Sequence, residues 1–310
     1  RLAGHLSLDR AGLGDALIFK ELSAAIFAYA RDVESEWVNT RDSPRPAMAA
    51  TWHTFIRRPR GIADALRVAR TIGGPQPAPD VIDAEQVGAN RDGEPQARRG
   101  LRICQIDRQV DAEVNRWRKS HAPGVSTASL WAYLIYQAAV RAAIDLLPSI
   151  RVAVDCRRYL PPGRRYNGNF AAGLIVAMNE NDTVADVGDR IEKLTSSGAP
   201  LLALVGVGGL VLMYPKLNSH KGMPTTTGVS LLISDVGRMP DDDVSWASDD
   251  HRCYAALLDP ADASSVSVLN ASVGGCRTVS ISFFEGVLDQ QIDSMAALLA
   301  DPIALLRATV

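Results

Sequence analysis

Val266-Ser267-Val268-Leu269-Asn270-Ala271-Ser272-Val273-Gly274-Gly275-Cys276-Arg277-Thr278-Val279-Ser280-Ile281-Ser282-Phe283 is the stretch on which the fold class turns. The segment Val279-Ser280-Ile281-Ser282-Phe283 alternates apolar and polar side chains, the period-two signature of a strand. Val266 to Leu269 predicts a second strand, and the Gly274-Gly275 pair between them suits a hairpin connection, because glycine adopts the positive φ angles such turns require. Working outward, Val229 to Ile233 and Ile150 to Val154 predict further strands. A closing helix is expected from about Asp289 to Leu299, with Asp289 as its N-cap. Leu130, Leu134, Ala138 and Ala142 lie on one face of a helix that starts at Ser126 and Thr127 and is expected to stop at Pro148. Near the start, Leu13, Leu17, Ile18, Leu22, Ala25, Ile26 and Tyr29 keep helical spacing. Residues 39–100 are rich in Pro, Arg and Gly and read as a long irregular excursion, interrupted by an amphipathic stretch from Ile62 to Ile72. Helices and strands are mixed without regular alternation, which predicts an α+β architecture. The expected division falls between residues 1–149 and 150–310.

Composition sets the outer limits. The chain has 310 residues, 47% hydrophobic and 22% charged, in the range of a globular protein. A net charge of −2 provides no overall attraction to a phosphate backbone, and the arginines at Arg57, Arg58 and Arg60 and at Arg157, Arg158, Arg164 and Arg165 lack interleaved aromatics. Nucleic-acid binding is therefore not expected. Cys104, Cys156, Cys253 and Cys276 show no CxxC spacing and read as reduced thiols, many of them buried. Residues 201–214 are apolar, but they fall short of the roughly 20 residues of a membrane span, so a buried segment is expected there. No secretory signal is visible, which makes the cytoplasm the default expectation. Asp241, Asp242, Asp243, Asp249 and Asp250 lack the spacing of a calcium loop, and no metal site is expected.

His5 stands apart from the other histidines. Gly4-His5-Leu6-Ser7-Leu8-Asp9-Arg10 places a carboxylate four positions after it, just before a helix begins. An imidazole with an ordinary pKa of about 6.5 can accept a proton at neutral pH. The spacing by itself fits a packed histidine better than a catalytic one.

The surrounding residues carry a resemblance. His5 to Leu13, continuing through Leu17, Glu21, Leu22 and Tyr29, resembles the HHxxxDGxS segment of the condensation-domain superfamily, which includes chloramphenicol acetyltransferase and polyketide-associated acyltransferases. Gly124-Val125-Ser126-Thr127-Ala128-Ser129-Leu130 is similar to the start of that family's helix before the lobe crossover. Val154-Asp155-Cys156-Arg157 resembles its DLR element, and Gly168-Asn169-Phe170 its GNF element. Ser234-Asp235-Val236-Gly237 is similar to its SNxG element, with Asp235 in place of Asn. Gly4 stands where the family has its first His, and Arg10 where it has Gly.

The resemblance implies two lobes around a central tunnel, with the first lobe incomplete at its N-terminus, its remaining part either missing from this chain or supplied by a second chain. It implies an acyltransferase acting on thioesters, in secondary-metabolite or lipid biosynthesis. Acyl-CoA or a phosphopantetheinyl carrier protein would deliver the acyl group to a hydroxyl or amine, with no permanently bound cofactor. His5 would be the general base, and Asp9 and Arg157 a structural ion pair. Arg10, Asn169, Ser234, Asp235 and Gly237 would line the tunnel or bind substrate, with Ser234 also a candidate for stabilising the oxyanion. The departures at Gly4 and Arg10 keep a second reading open, a non-catalytic relative that recruits partners.

Overall fold

The computed structural model describes residues 45–56, 60–72, 98–164, 166, 170–205, 228–239 and 253–308. His5, Asp9 and Arg10 lie outside these residues, as do Asn169, the acidic stretch after Met239 and most of the apolar segment after Val205.

The hairpin forms the centre of the architecture. β5 (Ser265–Val273) and β6 (Cys276–Phe284) pair antiparallel with Val273 opposite Cys276, so Gly274 and Gly275 alone make the turn. Their φ angles of 59° and 84° are both left-handed, as a two-residue turn between twisted strands demands. A Cβ on Gly275 would also lie 2.7 Å from the Arg108 Nε atom. Arg108 donates from that Nε to the Gly274 carbonyl and ties the turn to the next layer.

Four more strands join the pair: β1 (Arg99–Ile106), β2 (Leu146–Asp155), β3 (Ala171–Ala177) and β4 (Val229–Arg238). Among the described residues the order is β1-β6-β5-β4-β2-β3. β4 is parallel to both β5 and β2, and the other pairings are antiparallel. The mixture fits the expected α+β class. Every residue of β5 is buried, because this central strand is covered on both faces.

Helices cover one face. They are α3 (Arg108–His121), α4 (Thr127–Arg141), α5 (Val184–Ser197), α6 (Asp289–Ala300) and α7 (Pro302–Arg307), preceded in the chain by α1 (Pro46–Phe55) and α2 (Gly61–Ile72). Val266, Val268, Val279, Ile281 and Phe283 pack beneath them with Leu130, Leu134 and Ile292. The opposite face of the hairpin carries serines. Ser280 and Ser282 accept hydrogen bonds from the Ala256 and Leu258 backbone N–H groups through their hydroxyls, so an irregular segment covers that face much as a strand would. The apolar-polar alternation of β6 thus marks two buried faces with different neighbours, not an inside and an outside.

Several expectations change. The stretch read as irregular contains both α1 and α2, and the former was not legible because its large apolar residues Met48 and Trp52 are exposed. The helix from Thr127 ends at Arg141, well before Pro148. Ala143, at φ 57°, turns the chain. Pro148 lies inside β2, where the pairing with β4 shifts register, and an irregularity is where a strand tolerates a residue without an N–H. Asp289 is the first residue of α6 and not its cap, since Leu288 holds that position. Its carboxylate accepts from the Gly286 N–H instead. The division at 149/150 falls within β2, and β1 from one side pairs with β6 from the other.

Two of the four cysteines, Cys104 and Cys156, are buried and all four are free. Burial pushes the Cys104 thiol up to about 11 and, as the main cause, the Cys156 thiol up to about 12. Thiols so far above neutrality are inert as nucleophiles. No helix among the described residues is long and apolar enough to cross a membrane.

Candidate functional site

A cleft of about 600 Å³ opens between the N-terminal end of α4, the inner face of α5 and the ends of β2 and β4. Ser126 and Ser129 line it from α4, Asp155 and Arg158 from the end of β2, Glu192 from α5 and Asp235 from β4. Apolar walls come from Val152, Ile191, Ile233 and Ala132.

Each polar wall has a local cause. Ser126 caps α4, its hydroxyl accepting from the Ser129 N–H at 3.0 Å and lying 2.8 Å from the Ser129 hydroxyl. This satisfies one of the donors a helix start leaves free. Asp155 caps the short 3-10 turn Cys156–Tyr159 by accepting from the Arg157 N–H at 3.0 Å. The same oxygen takes the Arg157 Nη1 at 3.0 Å, while the Arg157 Nε donates to the Tyr166 carbonyl at 2.7 Å. Arg157 is thus anchored to its own turn from one side. Asp9, the partner implied for it, lies outside the described residues.

Asp235 sits where β4 breaks its register with β5, between Asp235 and Gly237. Gly237 adopts φ 71°, a left-handed angle that costs any residue with a Cβ about 1–2 kcal/mol. That bend lets the Gly237 N–H donate to the Asp235 carboxyl at 2.7 Å. Asp235 shares a strand face with Ile233, whereas Ser234 is not among the residues lining the cleft.

Behind Asp235 runs a chain of polar side chains that sequence reasoning did not identify. Asn270 of β5 donates to Asp235 at 2.9 Å and accepts from the Arg277 Nη1 of β6 at 3.1 Å. The Arg277 Nε donates to Asp111 of α3 at 2.6 Å. Arg277 and Asp111 are buried, and the guanidinium carbon lies 4.8 Å from the Trp131 ring centre, within cation–π range. Asp111 also accepts from the Asn115 amide at 3.3 Å. Burial pushes the Asp235 carboxyl above the ordinary carboxylate range. Arg277, the Gly237 N–H and Asn270 pull against that push, and the Asp111 charge adds to it.

Comparison with solved structures follows this geometry. The NRPS cyclization-docking bidomain EpoB from Sorangium cellulosum matches with a TM-score of 0.53 over 93% of this chain and 57% of its own, at 9% identity. TRI101 from F. graminearum, complexed with coenzyme A and T-2 mycotoxin, matches with a TM-score of 0.52 over 92% and 62%, at 11% identity. The condensation domain of the monacolin K polyketide synthase MokA matches with a TM-score of 0.51 over 93% and 66%, at 11% identity.

The fold is that of condensation domains and coenzyme-A-dependent acyltransferases.

At this identity the likeness is one of fold, and the expected α+β class of that superfamily stands. No family model matches the sequence, and no curated protein matches it. The chain spans roughly half to two thirds of the length of the structures it matches. Arg157 and Asp235, on segments read as the DLR and SNxG elements, both stand at the cleft end of the sheet, Arg157 held by the cleft-lining Asp155. Asn270, Arg277 and Asp111 were missed because each belongs to a different element, and no sequence pattern links them.

Proposed function

We propose that the chain is part of an acyltransferase that moves an acyl group from a thioester to a hydroxyl or amine, with His5 as general base. The observation that supports this reading is the fold shared over more than nine tenths of this chain with condensation domains and with an acyltransferase that binds coenzyme A. A mixed sheet whose strand ends open onto a partly apolar cleft supports it further, because an acyl chain needs apolar walls and a few placed polar groups.

In this reading His5 removes the proton of the acceptor, which attacks the thioester carbonyl and expels a thiolate. Two lobes enclose a central tunnel in which acyl-CoA or a carrier-protein arm meets the acceptor. Asp9 pairs with Arg157 and joins the two parts. Arg10, Asn169, Ser234, Asp235 and Gly237 contact the substrate or shape its path. The product belongs to secondary-metabolite or lipid biosynthesis.

Thiol release from a panel of acyl thioesters, with and without hydroxyl and amine acceptors, tests the assignment. The native protein is expected to release thiol in an acceptor-dependent way. His5→Ala is expected to lose about 10²–10⁴-fold in rate, the usual contribution of a general base. Asp9→Asn is expected to lower stability more than the rate in the folded fraction. Equal rates for the native protein and His5→Ala sink the catalytic role. In that case the departures from the motif at Gly4 and Arg10 favour a non-catalytic domain that recruits partners.

A further inference from the structure

The serine-bearing face of the hairpin also carries two cysteines, away from the cleft. Ala256 and Leu258 donate their N–H groups to the Ser280 and Ser282 hydroxyls at 3.3 and 3.0 Å. The covering segment therefore runs in the same direction as β6 and in step with it, two residues advancing for two. Continued one step back, that register sets Tyr254 level with Thr278 and Cys253 between Thr278 and Cys276. The Thr278 hydroxyl agrees with it, donating to the Cys253 sulfur at 3.6 Å.

Cys276 belongs to the same face. Residues two apart along a strand share a side, which groups Cys276 with Thr278, Ser280 and Ser282. Val273 lies directly opposite Cys276 across the hairpin, and it is part of the small core on which Tyr254 and Ala256 pack. Directly opposed residues of an antiparallel pair share a face, so both cysteines border that core. An offset of about one residue, ~3.4 Å, at roughly the ~5 Å spacing of neighbouring strands falls within the Cα separations of about 4.4–6.8 Å that a disulfide spans.

Both thiols are free and only half-buried, whereas Cys104 and Cys156 are buried. We infer that Cys253 and Cys276 form a redox modification site, joined into a disulfide by an oxidant of the low-molecular-weight disulfide class, and that the link clamps residues 253–258 onto the serine face of the hairpin. One cysteine thiolate attacks a sulfur of the oxidant and expels half of it as a thiolate. The second cysteine attacks the resulting mixed disulfide and expels the other half. Two protons and two electrons thus pass from the cysteines to the oxidant, which leaves as two thiols. The site is independent of the acyl-transfer reading.

The test treats the reduced, folded chain with oxidised glutathione and maps its thiols by mass spectrometry. Trypsin releases residues 253–277 as one peptide, because neither Lys nor Arg stands between Arg252 and Arg277. That peptide is expected to become two hydrogens lighter, with no glutathione attached. Cleavage before Asp259 and Asp262 is expected to leave its halves joined until a reductant is added, while Cys104 and Cys156 stay reduced. Amide exchange in residues 254–258 is expected to slow by at least about tenfold on oxidation, because the ring restricts opening of the segment. Cys276→Ser, given the same oxidant, is expected to show no such slowing.

Thiols that stay reduced, a glutathione left on either cysteine, a disulfide between two chains, or a link that forms only in urea each overturn the inference. These outcomes are read on the native protein, so they hold whether or not the variant folds. A disulfide that leaves exchange in residues 254–258 unchanged overturns the clamp.

Discussion

Asp111 and Arg277 are 166 positions apart in the chain, yet they meet at 2.6 Å in the interior. Removing one partner strands a buried charge, which costs about 3–5 kcal/mol. Asp111→Ala is accordingly expected to lower the free energy of unfolding in urea by about that amount. The double replacement Asp111→Leu with Arg277→Met is expected to cost much less, since desolvation of the pair offsets most of its attraction. Asp235 responds to pH in the opposite sense to a salt-bridged aspartate. Its folded pKa is raised by burial, so the native state holds its proton more tightly than the unfolded chain does. Its stabilising contribution is fully present below the unfolded carboxylate pKa of about 3.9 and is lost as pH rises through the folded value. Asp235→Ala removes the titrating group and is therefore expected to flatten the fall in urea midpoint that the native protein shows as pH rises through the folded Asp235 value. An unchanged pH dependence in that variant would contradict this.

At the scale of elements, α5 shows how much local order one aspartate can carry. Thr183 and Asp186 form a reciprocal capping box at its start. Just before it, Asp182 accepts from the Asn179 N–H at 2.8 Å and pairs with Arg190, whose Nη2 donates at 2.5 Å. Arg190 also donates to the Ala177 carbonyl at the end of β3, so the pair fastens the helix to the sheet edge. Burial alone would raise the Asp182 carboxyl, but Arg190 and Asn179 outweigh it and hold the group below its ordinary range. The sign is the usual one for a depressed carboxylate. Stability is present above about pH 3.9 and disappears as pH falls through the lower folded value. Asp182→Ala is expected to cost about 2–3 kcal/mol at neutral pH, less than a fully buried pair because Arg190 is partly exposed. The loss is expected to vanish in acid when denaturation is followed by circular dichroism. Two of the helices that sequence periodicity missed share a physical reason. α3 turns Asp111 and Asn115 inward beside Val114, which breaks the apolar stripe a reader looks for. α1 keeps Trp52 and Met48 outside, so its pattern points away from the face it buries.

At the scale of the whole molecule, the sheet is organised around β5 and β6, and stability should follow that order. Amide hydrogen exchange is expected to be slowest in β5, buried along its full length between two partners. β1 and β3 lie at the edges of the described sheet and are expected to exchange through smaller openings. Equal protection of edge and centre would contradict this arrangement. The local features of this chain were readable in its sequence because they depend on neighbouring residues. The Gly274-Gly275 turn, the Ser126 cap, the alternation of β6 and the α+β class all arise from short-range backbone and side-chain geometry, and a glycine pair or a capping serine acts wherever the chain goes. The resemblance in the DLR and SNxG elements correctly indicated the fold shared with condensation domains and coenzyme-A-dependent acyltransferases. Only the tertiary structure decided which residues stand behind Asp235, that Pro148 lies within a strand, and that β1 closes against β6 across the division expected at 149/150. Those outcomes depend on contacts between segments far apart in sequence. A buried aspartate such as Asp111 reads as a surface charge until Arg277 is brought against it.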